Sequence, residues 1–115
     1  MSTPVGPYTP VVPAGPFVVT SGQIGIADGA VVAGGLEAEL RQAMANLAAV
    51  LESGGARMDQ VVKTTVFMTS MADYALMNSV YTELFGDHRP ARSAVAVKEL
   101  PLGALIEIEA LAYVG

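Results

Sequence analysis

Apolar residues recur at two different spacings along this chain, and each spacing predicts one type of element. Alternation at every second position and runs of β-branched residues favour β-strands, and they occur at residues 17–21, 61–68, 90–97 and 105–110. Recurrence at every third and fourth position predicts an amphipathic helix. It occurs at residues 36–53 and again after Ser70 or Asp73, either of which can cap the second helix. The expected apolar stripe of the second helix is Tyr74, Met77, Val80, Tyr81, Leu84 and Phe85. The Asp28-Gly29 pair is typical of a hairpin turn.

This order of elements predicts an α+β fold, with residues 1–115 forming a single domain. One mixed β-sheet is expected to carry both helices on one face. The strand at 61–68 has apolar residues on both of its faces, which predicts a central strand covered on both sides. Because two helices can cover only one face of the sheet, a second copy of the chain is the expected cover for the other face.

Two segments near the C-terminus place charged residues on predicted strand faces. Arg92 shares its face with Ala94, and Glu107 shares its face with Glu109. The connection between the segments, residues 99–104, contains a Pro and a Gly that suit a turn. The segments are therefore predicted to be neighbouring strands. They would bring the guanidinium of Arg92 and the carboxylate of Glu107 onto one surface, the one that the helices leave open.

Composition favours self-association and argues against several classes of protein. Hydrophobic residues make up 52% of the chain and charged residues only 15%, which indicates that apolar surface is buried against another subunit. No apolar run approaches the roughly 20 residues that a membrane helix needs. Five prolines in the first 16 residues argue against a signal peptide. We therefore expect a cytoplasmic protein with no membrane partner.

Charge and residue counts narrow the chemistry further. The net charge is −5 and the six Lys and Arg residues are scattered, which argues against a nucleic-acid partner. Cysteine is absent, so disulfides, thiolate nucleophiles and cysteine metal ligands are excluded. A single histidine, His88, cannot form a histidine metal cage within one chain. We predict no metal site and assign no role to His88.

Several short segments stand in the order in which a known family has them. They are residues 6–8 (Gly-Pro-Tyr), 20–24 (Thr-Ser-Gly-Gln-Ile), 62–67 (Val-Lys-Thr-Thr-Val-Phe), Asn78, 90–93 (Pro-Ala-Arg-Ser) and 106–110 (Ile-Glu-Ile-Glu-Ala). With them the chain resembles the reactive intermediate deaminases, the RidA or YjgF-type proteins formerly catalogued as translation inhibitors or endoribonuclease L-PSP. The resemblance implies a YjgF/chorismate-mutase-like fold and a homotrimer with a central β-barrel and clefts between subunits. It also implies hydrolysis of enamines and imines such as 2-aminoacrylate and 2-iminopropanoate to 2-keto acids and ammonia.

The resemblance implies two catalytic roles. Arg92 would hold the substrate carboxylate through two parallel hydrogen bonds, which a planar guanidinium can supply. Glu107 would orient the attacking water. The structural alternative for Arg92 is a salt bridge to Glu107 or Glu109. Glu109 points to the same face as Glu107 and is the alternative residue for orienting the attacking water. No metal or organic cofactor is needed, because the imine is already electrophilic and the site has only to orient water.

Five further positions match substrate-binding positions of the family. Tyr8, Ser21, Gly22 and Asn78 are implied to line the cleft, Gly22 through its backbone carbonyl. The alternative for Tyr8 is simple packing of a loop ring, and helix geometry alone equally allows Asn78 to be a surface residue beside Met77. Ala94 stands where many catalytic members carry cysteine, and the backbone amide at this position is implied to help hold the carboxylate. The replacement changes the shape of the pocket and removes a redox-sensitive thiol.

Two other functions compete with the deaminase. A non-enzymatic sensor or chaperone-like trimer could use the same carboxylate clamp, although the presence of Arg92 counts against it. A ribonuclease or translation inhibitor is suggested by the older family names, but the acidic balance of the chain argues against RNA binding at physiological salt. The expected ligand is a small imino acid or carboxylate at a subunit interface.

Overall fold

The structure, a computed structural model, describes residues 6–115. The strands, in chain order, are β1 (Val11–Ala14), β2 (Phe17–Thr20), β3 (Gln23–Ile24), β4 (Ile26–Ala27), β5 (Ala30–Val31), β6 (Val61–Met68), β7 (Ala91–Ala96) and β8 (Ile106–Tyr113). The helices are α1 (Gly35–Ser53) and α2 (Tyr74–Phe85), and short 3-10 turns cover Met58–Gln60, Met71–Asp73 and Pro101–Gly103. The predicted α+β class is confirmed.

One mixed sheet forms the centre of the fold. Its main path runs β1-β2-β8-β6-β7, and β3 also pairs with β8. Strands β6 and β7 are parallel, whereas the other pairs of this sheet are antiparallel. Strands β4 and β5 form a separate hairpin, whose turn has a φ of 53° at Asp28 and 82° at Gly29. The positive φ values are those that a two-residue hairpin turn requires, so the prediction for this pair is confirmed.

Strands β7 and β8 are not neighbours, contrary to the sequence prediction. Strand β6 lies between them, because it pairs along its length with both. The connection from β7 to β8 therefore crosses the C-terminal end of β6. There the Val97 N–H donates to the Met68 carbonyl at 2.7 Å, and the Thr69 N–H donates to the Leu105 carbonyl at 3.2 Å. The Pro and Gly of this connection do lie in a turn, the 3-10 turn Pro101–Gly103, as predicted.

Both helices pack apolar residues against the same face of the sheet. The stripe of α1 that the spacing predicts is buried throughout: Leu36, Leu40, Ala43, Met44, Leu47, Val50 and Leu51. The buried residues of α2 are Met77, Val80, Tyr81 and Phe85. Tyr74 and Leu84, which the same spacing assigns to the stripe, are 38% and 37% exposed. The stripe of α2 is therefore narrower than the sequence predicts.

The predicted cap of α2 lies on the turn before the helix. The Ser70 hydroxyl accepts a hydrogen bond from the Ala72 N–H at 3.1 Å, at the start of the 3-10 turn Met71–Asp73. Asp73 makes no side-chain cap hydrogen bond. Ser70 therefore fixes the entry to α2, and with it the position of Tyr74 at the first helical residue.

The other face of the sheet carries no helix, and we call it the open face. Its large exposed apolar side chains, between 38% and 48% exposed, are Val12, Phe17, Val19, Val95 and Tyr113. Strand β6 is central, as predicted, but its side chains on the open face are only partly buried. The cover predicted for both sides of β6 is therefore not supplied by one chain. Among residues 6–115, no helix is both long and apolar enough to cross a membrane.

Candidate functional site

Arg92 projects from the edge strand β7 towards helix α2. Its Cζ atom lies 4.9 Å from the centre of the Tyr81 ring and 5.6 Å from the centre of the Tyr74 ring. Its Nη2 donates to the Tyr74 hydroxyl at 3.1 Å, and its Nη1 lies 3.6 Å from the Met77 sulfur. These four residues are the Arg92 cluster. Its contacts are cation–π and weak neutral ones, which orient a guanidinium without neutralising it.

Arg92 has no carboxylate partner within the described part of the chain. The ion pairs there are those of Arg41 with Glu37 and Glu83, and of Arg57 with Asp59. The salt bridge from Arg92 to Glu107 or Glu109, the structural alternative that the sequence left open, is therefore not formed within one chain. A partly buried guanidinium with free N–H groups is suited to receive an anionic ligand.

Tyr81 is the fixed part of the Arg92 cluster. It is 4% exposed, and its hydroxyl forms a 2.7 Å hydrogen bond with the Thr64 hydroxyl of β6, which is fully buried. Burial raises the pKa of the Tyr81 phenol, against the opposing influence of the Thr64 hydrogen bond and of the Arg92 and Arg89 charges. The phenol is therefore neutral at physiological pH, and its ring presents a π-face to Arg92.

Glu107 lies on the open face, where its carboxyl group rests against the backbone of Gly22. A β-carbon at position 22 would fall 2.6 Å from Glu107 Cδ, so only glycine leaves room for this carboxyl group. Burial raises the pKa of Glu107 above its ordinary value, and the neighbouring charge of Glu109 raises it further. A half-buried carboxyl group with a raised pKa is a candidate proton-transfer group.

Arg92 and Glu107 lie on opposite faces of the sheet in one chain, contrary to the prediction that they share a surface. Cross-strand partners point to the same face. Arg92 is paired with Thr64, which is fully buried under the helices, and Glu107 is paired with Phe67, which points to the open face. Phe67 stands three positions after Thr64 along β6. This odd number puts the two charged groups on different sides of the sheet.

The remaining predicted residues divide between the two faces. Asn78 lies one turn after Tyr74 on the same side of α2, and its Oδ1 atom is buried without a hydrogen-bond partner. Ala94 shares the face of Arg92 and packs against the core. Both residues therefore lie on the helix-covered side of the sheet, as the Arg92 cluster does, and the unpartnered Asn78 oxygen is free to accept a hydrogen bond.

Tyr8 and Ser21 lie on the chain segments that lead to Gly22. Tyr8 is 43% exposed. The Ser21 hydroxyl donates to the Thr9 carbonyl at 2.7 Å, and the Ser21 N–H donates to the Pro10 carbonyl at 2.8 Å. Ser21 therefore ties the segment that carries Tyr8 to the strand end next to Gly22. Its hydroxyl is engaged with the backbone in this structure.

Other polar groups of the described residues do not form a second centre. No group of three or more His, Asp or Glu side chains among residues 6–115 could hold a metal ion. His88, to which the sequence assigned no role, lies with its Nε2 atom 2.7 Å from the Val61 carbonyl. A shallow depression of about 240 Å³ on the open face is lined by Val19, Thr20, Lys63, Thr65, Glu109, Ala110 and Leu111. It contains neither Arg92 nor Glu107.

The sequence assigned Tyr74, Met77 and Tyr81 to the apolar stripe of α2, and it missed their contact with Arg92. Helical spacing predicts which residues face the sheet, but not which strand residue they meet. The pairing of Thr64 with Arg92 brings the arginine beneath α2. One signal was present in the sequence, because two tyrosines seven residues apart, with Asn78 between them, share one side of the helix.

Comparison with known proteins agrees with this architecture. The chain is 46% identical over 112 residues to a RutC family protein of Pyrococcus horikoshii, a match that covers 96% of this chain and 89% of that protein. It is 42% identical over 113 residues to the 2-iminobutanoate/2-iminopropanoate deaminase of Salmonella typhimurium, covering 94% and 88% of the two chains.

Solved structures give the same result. The YjgF gene product of E. coli is 40% identical and superposes with a TM-score of 0.89, over 96% of this chain and 90% of that one. E. coli TdcF with bound serine is 36% identical, with a TM-score of 0.90 and the same coverage. The model of the family described as Endoribonuclease L-PSP matches residues 1–114. The resemblance found in the sequence is thus confirmed, and the chain belongs to the Endoribonuclease L-PSP family, which includes YjgF.

Proposed function

We propose that the protein is a deaminase that hydrolyses small 2-imino acids, and the enamines that tautomerise to them, to 2-keto acids and ammonia. The observation that carries this proposal is the Arg92 guanidinium, which is oriented by neutral groups and has no carboxylate partner within residues 6–115. Relatives named 2-iminobutanoate/2-iminopropanoate deaminase support the same reaction class.

In this proposal the site lies between two copies of the chain, in a homotrimer with a central β-barrel. Arg92 of one copy and Glu107 of its neighbour act on one substrate. Two observations support this arrangement. The two side chains lie on opposite faces of the sheet, so one chain cannot apply both to a small ligand. The open face also exposes apolar side chains that association would remove from water.

Substrate binding is assigned to Arg92 and the residues around it. Its guanidinium receives the substrate carboxylate through two parallel hydrogen bonds, with the backbone amide of Ala94 as a further donor. Asn78 lies beside the clamp, and its unpartnered oxygen accepts a hydrogen bond from ligand or water. The Gly22 carbonyl accepts from the substrate nitrogen, while Tyr8 and Ser21 close the cleft on that side.

Glu107 moves the protons of the reaction. The ionised carboxylate takes a proton from water as the water oxygen bonds to the imine carbon, and that proton passes to the nitrogen, which gives an amino alcohol. Glu107 then takes the hydroxyl proton and delivers it to the nitrogen as the C–N bond breaks. Ammonia and the keto acid leave, and Glu107 is again ionised. No metal or organic cofactor takes part in this scheme.

The proposed location of the protein is the cytoplasm.

A second candidate function is a sensor that binds a small carboxylate without turnover. The specific observation in its favour is the E. coli TdcF structure with bound serine, since serine carries a carboxylate. The Arg92 cluster serves this function equally well. Glu107 distinguishes the two, because only hydrolysis needs a group that takes protons from water.

The test is keto acid release from imino acids that an amino-acid oxidase generates in the assay, with semicarbazide trapping the imine that escapes. Wild type should suppress trapping, and Arg92→Ala and Glu107→Gln should each lose about 100-fold or more of kcat/KM, as expected for a charged contact made to the reacting molecule. Arg57→Ala is the matched control, because Arg57 pairs with Asp59 at the surface. The binding probe is 2-oxobutanoate, the keto acid that hydrolysis of 2-iminobutanoate would give. Wild type that binds 2-oxobutanoate but leaves the trapping of imine by semicarbazide unchanged would favour the sensor.

A further inference from the structure

We propose that Tyr74 is a positioning residue that holds the Arg92 guanidinium against the fixed Tyr81 ring, in the orientation that receives a carboxylate. The inference rests on the proposed function, which it extends to a residue outside the cleft positions considered above. Tyr74 touches Arg92 twice, through its ring at 5.6 Å and through its hydroxyl at 3.1 Å. No other hydroxyl among the described residues bonds this guanidinium.

The two tyrosines play different parts because they differ in burial. Tyr81 is 4% exposed and hydrogen-bonded to Thr64, so its ring is held in a fixed position. Tyr74 is 38% exposed and begins α2. Arg92 lies over both rings, with Tyr81 on the buried side and Tyr74 on the solvent side. Without Tyr74, the guanidinium keeps its contact with the Tyr81 ring alone and can rotate towards solvent.

A neutral partner is what a binding arginine needs. A carboxylate in place of the Tyr74 hydroxyl would fix Arg92 as well, but it would neutralise the charge and compete with the ligand for the same N–H groups. The Tyr74 oxygen and the Met77 sulfur engage two of the five guanidinium N–H donors. Three remain, enough for a bidentate carboxylate. The orientation is therefore set before the ligand arrives, which reduces the ordering cost of binding.

The test uses two variants of Tyr74. Tyr74→Phe removes the hydroxyl and keeps the ring, and Tyr74→Leu removes both. Tyr74→Phe should raise KM for the imino acid, and Kd for 2-oxobutanoate, about 3–10-fold with kcat within about twofold, since a clamp contact acts equally on ground and transition states. Tyr74→Leu should raise both further. Thr82→Val, which removes an exposed hydroxyl from the same helix, is the control and should leave both constants unchanged.

A second measurement does not depend on activity. The ¹⁵N relaxation of the Arg92 Nε–H group reports the rigidity of the guanidinium, and its order parameter should fall in Tyr74→Leu relative to wild type. A general loss of structure would lower backbone order parameters as well, and unchanged backbone values exclude it.

The possible outcomes separate the positioning role of Tyr74 from the proposed function. Unchanged KM and Kd in both Tyr74 variants, or a fall in kcat at constant KM, would overturn the positioning role while leaving the proposed function intact. If wild type neither hydrolyses imino acids nor binds 2-oxobutanoate, the proposed function fails. The relaxation measurement then decides alone: a looser Arg92 in Tyr74→Leu supports the positioning role, and an unchanged one refutes it.

Discussion

Gly22 lies so close to Glu107 that a β-carbon on the glycine would fall 2.6 Å from the glutamate Cδ. The two residues come from distant parts of the chain. They meet because β3, which begins at the next residue, pairs with β8. The Glu107 side chain is therefore packed against the Gly22 backbone, where it is partly removed from water and its pKa rises.

Gly22→Ala should displace the Glu107 carboxyl group while leaving the fold intact. The crowded atoms are the end of a flexible side chain, which can turn away at small cost. We expect kcat/KM to fall about 10–100-fold, as for a misplaced catalytic group, while the melting temperature changes by no more than a few degrees.

The double variant Gly22→Ala/Glu107→Gln separates this effect from a general one. If Gly22→Ala lowers kcat/KM by moving the Glu107 carboxylate, it should lower kcat/KM little further in a protein that already carries Glu107→Gln. A double variant whose loss of kcat/KM equals the product of the two single losses would contradict a shared mechanism.

The activity should depend on pH through Glu107. Burial first and the Glu109 charge second raise the pKa of Glu107 above its ordinary value, and only the ionised carboxylate can take a proton from water. We therefore expect kcat/KM to fall as the pH falls through this raised pKa. Glu109→Gln removes the second cause, so it should move the acidic limb of the pH profile to lower pH. An unchanged limb in Glu109→Gln would mean that another group controls it.

Glu107→Gln should stabilise the protein at neutral pH. A glutamate whose pKa is raised in the folded state favours folding while it is protonated, and this contribution is lost as the pH rises through the folded pKa. At pH 7 the charged side chain therefore disfavours the folded state, and glutamine does not. Denaturant unfolding at fixed protein concentration should show the variant more stable at pH 7 and equal to wild type below about pH 4. A variant less stable at pH 7 would show that Glu107 makes a favourable contact when ionised.

Mixing two inactive variants tests whether the site lies between copies. Arg92→Ala keeps Glu107, and Glu107→Gln keeps Arg92. If the two are unfolded together and refolded as mixed trimers, a given cleft holds both intact residues with a probability of about one quarter, so about a quarter of wild-type activity should return. A site built within one chain would give no recovery. Refolding each variant alone is the control, and sedimentation should give the mass of three chains.

Purified protein should not cleave RNA, despite the description of its family. Two of the six basic residues, Arg41 and Arg57, are paired with carboxylates, and the net charge is −5. Phosphate binding needs clustered free cations, so weak RNA affinity is expected at physiological salt. Fluorescence of a labelled RNA incubated with highly purified wild type and Arg92→Ala measures this. Cleavage that disappears with Arg92→Ala would reverse the prediction.

The local elements could be predicted from the sequence because they depend on short-range spacing. The α1 stripe from Leu36 to Leu51 follows helical periodicity and is buried throughout, and the Asp28-Gly29 turn has the backbone that these residues favour. The prediction for α2 was wrong at Tyr74 and Leu84. Periodicity gives the direction of a side chain, whereas its burial depends on how far the neighbouring sheet extends.

The sequence by itself determined the α+β class, the family and the alternation that puts Arg92 and Ala94 on one strand face and Glu107 and Glu109 on one face of another. Only the tertiary structure decided how those faces relate. Strand β6 lies between β7 and β8, and its register sets Arg92 opposite Thr64 and Glu107 opposite Phe67. Strand order and register arise from long-range pairing, which no local pattern encodes. For that physical reason the arginine lies among the tyrosines of α2, while the glutamate faces the surface that a second copy is proposed to cover.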